Sequence, residues 1–338
     1  MGKALVTGID IGHYSIKAVV IRASNAGLEL LRYKELPISE GIFADNHTLD
    51  HQRIVKKLKE LKRLLPWRSH KVAVSIPDSA VSSKSVQVEQ GSEGRELEFS
   101  IAQAFGQVSP IPVEALDFDF YPVAEQRSQR STTLTYQVHA TRKEVLESRL
   151  KALKKVGFQT VVADIHGHAL SHLWQLAKQM NNSKQDWMLV DVGFQHTSLC
   201  CIPLGRAPFY KEVPFGLQEL TPEMELAPPL EGEHALNAFA HKLAERLKRQ
   251  ISLFNSVNAQ QPVAGIWLCG GGAMYPQLMA LLKRQLQLDV NLLAPFSLVT
   301  NKTKLPSKQL VDNAIYSAAM GIALSGIAWQ QGARHDEH

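Results

Sequence analysis

The sequence predicts an α/β protein made of two related half-structures that face each other across a cleft. Three stretches carry that expectation. Ala4, Leu5 and Val6 lead into Gly8-Ile9-Asp10-Ile11-Gly12, and a second apolar run, Ile16 to Ile21, follows at once. Apolar run, acid with glycines, apolar run reads as strand, tight turn, strand. The same order returns at Met188-Leu189-Val190-Asp191-Val192-Gly193, with Thr197 to Ile202 as its second strand. One unit recurring in each half of a chain marks an internal repeat. The third stretch, Gly265 to Ala273, runs a strand into Gly270, Gly271 and Gly272. Pro276 then opens a helix, since proline is favoured at a first helical position.

The hairpins have the chemistry of phosphate turns. Glycine lets backbone N–H groups approach an anion closely. An Asp beside such a turn can hold a hydrated Mg²⁺. An ordinary hairpin with an Asp in its turn is the competing reading of either unit alone, and the repetition argues against it.

With 338 residues, two domains or one two-lobed fold are open. An apolar fraction of 45% supports sizeable cores and excludes wholesale disorder. The net charge of +5 and a pI near 9.0 point only loosely to nucleic acid or an anionic membrane, and the basic residues form no long run. No direct DNA binding is expected. Cys200, Cys201 and Cys269 all lie in apolar strand-like runs, and adjacent cysteines in a strand point to opposite faces. Buried free thiols are therefore expected, not disulfides or a metal site. Met1-Gly2-Lys3 starts no signal peptide, and no apolar stretch reaches the ~20 residues of a membrane helix. A cytoplasmic protein that reaches the membrane through a partner is the expectation.

In order, three strands occupy 5–36, and a helix follows over His51–Leu65 with Ile54, Leu58, Leu61 and Leu65 on one face. Its other face carries Lys56, Lys57, Lys59, Lys62 and Arg63; a solvated face is the ordinary reading, contact with anionic membrane or DNA the sharper one. A buried strand, Val72–Ile76, closes at Pro77. An inserted subdomain reads as strand Ser85–Val88, helix Arg95–Phe105, and strands Leu116–Tyr121 and Leu134–Ala140. Helix Lys143–Lys155, strand Thr160–Ile165 and helix Gly167–Met180 complete the first half. Asn181 to Lys184 is a polar break. After the Asp191 hairpin come strand Ala207–Pro214, a proline-rich loop over 216–233, and helix Glu233–Phe254. Helix Tyr275–Gln287, a strand near Val290–Leu293, a linker over 295–310 and a last helix Val311–Gln330 end the chain.

The three motifs, in this order, resemble the phosphate-1, phosphate-2 and adenosine motifs of the actin-like ATPase superfamily. Within it the chain is similar to the PilM family of type IV pilus assembly, close to FtsA. Supporting stretches are Val72-Ala73-Val74-Ser75-Ile76-Pro77, Ala140 to Val145, and Ala318 to Leu324. The resemblance covers nearly the whole chain. It implies an actin-like ATPase fold, two ribonuclease-H-like lobes around a nucleotide cleft, with an inserted 1C subdomain of FtsA/PilM type. First lobe 1A would be 1–83 and 144–185, with 311–332 packing back on it, and 1C would be 84–143. Second lobe 2A would be 186–210 and 262–310, and 2B would be 211–261.

The resemblance also implies the site: ATP with Mg²⁺ as cofactor, and Asp10 and Asp191 flanking Mg²⁺ through water. Gly12, Ser15 and Lys17 belong to the first phosphate hairpin. Gly193 and Thr197 belong to the second, with the Thr197 hydroxyl on phosphate. Gly270, Gly271 and Gly272 cup the adenosine. The implied partner is the N-terminal peptide of a PilN-like inner-membrane protein, received in a groove between 1A and 1C. Two departures weaken the site. His13 stands where the pattern has a small Ser, and His166 replaces a carboxylate that would order the attacking water. A scaffold with little ATP hydrolysis is therefore expected. An active ATPase or small-molecule kinase of the same superfold is the alternative. No Gly-x₄-Gly-Lys-Ser/Thr sequence occurs, which excludes a P-loop NTPase at the motif level.

Overall fold

The computed structural model describes residues 4–38, 41–123, 133–181, 184, 186–220, 229–303 and 311–332. In chain order the strands are β1 Leu5–Ile11, β2 Ser15–Ser24, β3 Gly27–Pro37, β4 Lys71–Ile76, β5 Val81–Glu89, β6 Leu116–Pro122 and β7 Thr133–Arg142. They continue as β8 Gln159–Ile165, β9 Trp187–Val192, β10 Thr197–Cys201, β11 Phe209–Val213, β12 Gly265–Cys269, β13 Asp289–Leu292 and β14 Thr300–Asn301. The helices are α1 His51–Leu64, α2 Gly94–Val108, α3 Lys143–Lys155, α4 His166–Met180, α5 Pro229–Val257, α6 Pro276–Leu286 and α7 Ser317–Gly332. The chain divides into two compact units: Met1–Glu40, Val55–Ser75 and Leu153–His338 in one, Gly41–Ile54 and Ile76–Ala152 in the other.

The first unit holds two sheets of one plan. Their orders are β14-β3-β2-β1-β4-β8 and β11-β10-β9-β12-β13. In each, an antiparallel hairpin (β1/β2, β9/β10) extends to a third antiparallel strand on one side. On the other side a parallel strand joins (β4 to β1, β12 to β9). The repeat holds residue for residue around the acids. Asp10 stands opposite Lys17, and Lys17 opposite Glu35. Asp191 stands opposite Ser198, and Ser198 opposite Glu212. All six residues of β9 are buried, as the uninterrupted apolar run of a strand covered on both faces requires. Cys200, Cys201 and Cys269 are buried in this core and take part in no disulfide. Burial pushes the Cys201 thiol up to about 12 and raises Cys269 well above its ordinary value, so both stay protonated and inert.

Helix α7 binds the unit together. From Ser317 to Ile327 every residue is buried, so its small residues face neighbours all round. A Cβ on Gly8 of β1 would lie 2.1 Å from the Ala319 carbonyl oxygen and 2.5 Å from the Ala323 nitrogen. A Cβ on Gly321 would lie 2.2 Å from the Ala169 oxygen of α4, and one on Gly326 2.6 Å from Val6. Strand β1, α7 and α4 thus meet main chain to main chain.

Two elements differ from expectation. Helix α5 starts at Pro229, not Glu233, because a proline can occupy a first helical turn as well as break a helix. The expected linker over 295–310 contains a 3-10 turn, Pro295–Leu298, and strand β14, which pairs in parallel with β3 at the edge of the first sheet. Part of the loop over 216–233 and part of that linker lie outside the described residues. So does part of the polar break after Asn181. Residues 211–261, expected as subdomain 2B, fall within the first unit.

The second unit is a three-stranded antiparallel sheet of order β5-β7-β6 with α2 packed against β5. Its own core gathers Val86, Val88, Ile101, Phe105, Leu116, Tyr136, Val138 and Ala140. The unit also takes in Gly41–Ile54, where the fully buried Arg149 guanidinium donates to the His47 and Val145 carbonyl oxygens at 2.8 Å.

The Gly8 contact generates a prediction. Replacing Gly8 with Ala forces backbone apart in a close-packed seam and should cost ~3 kcal/mol or more. Gly332→Ala, where a Cβ meets nothing within 4 Å, should be near neutral. Thermal unfolding of the two variants checks this; equal melting temperatures would contradict the seam.

Candidate functional site

The two hairpin turns meet at the centre of the first unit. Each is closed by the same hydrogen bond: Gly12 N–H donates to the Ser15 carbonyl at 3.2 Å, and Gly193 N–H to the His196 carbonyl at 2.9 Å. A Cβ on Gly193 would lie 2.9 Å from that oxygen, so the second turn needs its glycine. The turns present aromatic rings to each other. His13 and His196 have centroids 6.4 Å apart, Tyr14 and Phe194 5.7 Å apart. The second turn is further gripped from behind, as Leu217 N–H and Gln218 N–H donate to the Gly193 and Phe194 carbonyls.

The acids sit just inside these turns. Asp10 is half-buried, and its Oδ1 accepts a hydrogen bond from the Ser75 hydroxyl at 3.1 Å. Asp191 is buried, with Oδ2 3.5 Å from His166 Nε2. On its other side a Cβ on Gly270 would lie 1.9 Å from Asp191 Oδ1. Gly270 adopts φ 77°, a left-handed conformation glycine takes freely, and its N–H donates to the Ala314 carbonyl. His166, the first residue of α4, thus reaches across to the second lobe's acid.

Several residues expected at the site hold hydrogen bonds within the protein. The Thr197 hydroxyl, expected on phosphate, donates instead to the Phe215 carbonyl at 2.7 Å and is fully buried. The Ser15 hydroxyl donates to Glu35 Oε1 at 2.6 Å. A buried hydroxyl takes the nearest strong acceptor: Glu35 on the neighbouring strand β3 for Ser15, and the Phe215 carbonyl just past the end of β11 for Thr197. Lys17 lies in register between the carboxylates Asp10 and Glu35, so the three side chains share a sheet face. The glycines of the third motif give room to protein. The Cβ directions of Gly270, Gly271 and Gly272 are taken by Asp191, Leu217 and Val192. Among the described residues no group of three or more His, Cys, Asp or Glu side chains is placed to hold a metal ion.

A second polar cluster lies where α4 meets α7. Asp164 accepts from the Ser325 hydroxyl at 2.5 Å and lies 3.4 Å from His168 Nδ1. Burial raises the Asp164 pKa, yet the hydrogen bonds from His168 and Ser325 outweigh it and bring it below 3.8. Burial lowers the His172 pKa below 6.5, against the attraction of Asp164. Sequence reading did not single out Ser325, Glu212, Tyr14 or Phe194, and it quoted Ser75 only within the stretch Val72 to Pro77, because the partner of each is set by long-range contact.

The fold and its paired acids define an actin-like ATPase fold. A solved structure described as a PilM-PilN type IV pilus biogenesis complex superposes with TM-score 0.76 at 22% identity, covering 95% of this chain and 98% of that one. The ethanolamine utilization protein EutJ from Carboxydothermus hydrogenoformans gives TM-score 0.54 at 14% identity, over 96% and 90%. The family model described as type IV pilus assembly protein PilM matches residues 8–235 and 227–327. The chain belongs to the PilM family.

The histidine cluster sets a pH dependence. His172 resists protonation only in the folded state, so the unfolded chain binds the extra proton below 6.5. The stability it supports is present above that value and is lost as pH falls. The Asp164 contribution, present above 3.8, is lost at still lower pH as its folded pKa is crossed. Denaturant midpoints should therefore drop from about pH 7 to about pH 5, and the drop should shrink in His172→Gln. A midpoint that rises on acidification would contradict the assignment.

Proposed function

We propose that the protein is a cytoplasmic scaffold of a type IV pilus-like, DNA-uptake machine, and that it docks the N-terminal peptide of a PilN-like inner-membrane protein. The family match over residues 8–327 carries this reading. The finer role in DNA utilisation rests on a resemblance to the enterobacterial member HofM. Among the described residues no helix is long and apolar enough to cross a membrane, which agrees with attachment through a partner. Strands β5 and β6 are the outer strands of the second unit's sheet. Such strands carry main-chain groups able to take up an extended peptide by strand addition.

Nucleotide has a reduced place in this reading. Asp10 and Asp191 suit a water-mediated Mg²⁺, and that ion would supply charge neutralisation to bound phosphates. The remaining site does not suit a triphosphate in this arrangement. The Ser15 and Thr197 hydroxyls are engaged, the turns meet through four rings, and His166 holds a competing position beside Asp191. Binding of ATP is weak, and its effect is on lobe closure and hence on docking. His166 stands where the family pattern has the carboxylate that would order an attacking water.

Calorimetric titration with a synthetic PilN-like N-terminal peptide should show specific binding, and ATP with Mg²⁺ should bind weakly. Phosphate release should stay near background, since losing one well-placed catalytic group costs roughly a hundred-fold or more. The double variant His13→Ser/His166→Glu should strengthen Mg²⁺-dependent ATP binding by clearing the turn and restoring the carboxylate. Turnover of about one per second or faster in the unmodified protein, within the ordinary enzyme range, would favour an active ATPase or small-molecule kinase instead.

A further inference from the structure

One basic surface of the first unit shares no residue with the candidate site. Beside the C-terminal end of α1 lies a groove of about 480 Å³, lined among others by Lys59, Lys62, Arg63, Trp67, His70 and Phe158. No Asp or Glu lines it. Lys59, Lys62 and Arg63 stand three and four residues apart and so share a helix face. Lys62 is fixed in place: its Nζ donates to the Val156 carbonyl at 2.6 Å and the Gly157 carbonyl at 3.2 Å, and lies 5.4 Å over the Phe158 ring. Lys57, on the same helix, is paired with Glu60 and does not line the groove.

The loop after α1 is apolar at its tip. Trp67 is 82% exposed and Leu64 37% exposed. The Arg68 guanidinium lies 4.6 Å over the Trp67 ring. Lys62 and Arg63 also oppose the negative end of the α1 dipole. That role explains neither Lys59 nor an indole held in water between cations. An exposed Trp with an Arg over its ring, on the rim of a groove lined by Lys and Arg, matches the boundary between headgroups and acyl chains, where the ring finds apolar and polar surroundings together.

We propose that the α1 groove and the Trp67 loop form a peripheral docking site for an anionic phospholipid surface. A lipid phosphate sits among Lys59, Lys62 and Arg63, and Trp67 enters the headgroup layer. The groove's uncompensated positive charge selects the anionic lipid, and the exposed ring selects a surface over a dissolved anion. The contact is weak and salt-sensitive, because each basic residue near an anionic surface contributes only about fivefold in affinity. It adds to partner-mediated attachment and does not depend on the nucleotide cleft.

The test is flotation of the full chain with vesicles of phosphatidylglycerol mixed into phosphatidylcholine, and with phosphatidylcholine alone. Binding to the anionic vesicles only, weakened by salt, is expected. Lys59→Glu/Arg63→Glu should reduce it by roughly tenfold or more. Trp67→Ala should reduce it severalfold, with unfolding temperature and PilN-like peptide binding unchanged in both variants. Soluble glycerol phosphate should not displace the protein. Equal binding to both vesicle types, or full binding by the variants, overturns the proposal. Tight saturation by glycerol phosphate would make the groove a small-anion pocket. Binding to duplex DNA that these variants abolish, without vesicle binding, would make it a nucleic-acid site. Either of these results also overturns it.

Discussion

Main chain pressed against main chain, at Gly8 of β1 and Ala319 and Ala323 of α7, is the constraint from which the rest of the first unit follows. No side chain larger than hydrogen fits there. The same demand recurs at Gly321 against Ala169 and at Gly326 against Val6. A helix obliged to pack this closely on every side must be small and apolar all round, and α7 is. The seam fixes β1, and β1 carries Asp10 and the Gly12 turn. It fixes α4, and α4 carries His166 to Asp191. Geometry at the cleft is therefore inherited from packing several residues away.

The cleft itself shows how one set of residue types can serve either a ligand or the protein. Glycines that would admit adenosine admit Asp191, Leu217 and Val192. Hydroxyls that would meet phosphate meet Phe215 and Glu35. Rings close the distance between the turns. Each of these contacts ties a cleft residue to the protein's own frame. A site whose polar groups already have partners gains little by exchanging them. The cleft's acids and the residues around them are thereby tied into one hydrogen-bonded and close-packed frame.

How much of this could be read from residues alone varied with range. The hairpins were legible because a period-2 apolar run and a glycine turn are local signals. The duplicated sheet was legible because the Asp-x-Gly unit recurs. The start of α5 was not, since Pro229 reads equally as a breaker and as a first-turn residue. Strand β14 was not, because two residues have no periodicity and their pairing with β3 is far away in sequence. The Ser75 hydrogen bond to Asp10 spans sixty-five residues of sequence, and no pattern foretells it. The Thr197 hydroxyl illustrates the limit most sharply: its position was correctly placed at the head of β10, yet its partner is set by the path of the chain at Phe215.

The short strand β14 has a mechanical consequence. After the second sheet ends at β13, the chain crosses to pair with β3 at Thr300 and Asn301, where the Lys302 N–H also donates to the Leu30 carbonyl. The two lobes are thereby stitched at an outer edge as well as clasped at the centre. A wide swing of one lobe would have to strip that edge or drag β3 along with it. The movement left open is a small sliding of close-packed helices past one another, the shear type of motion, not a hinge. Closure of the lobes in a protein so laced is a slight change of pitch, not a wide bite.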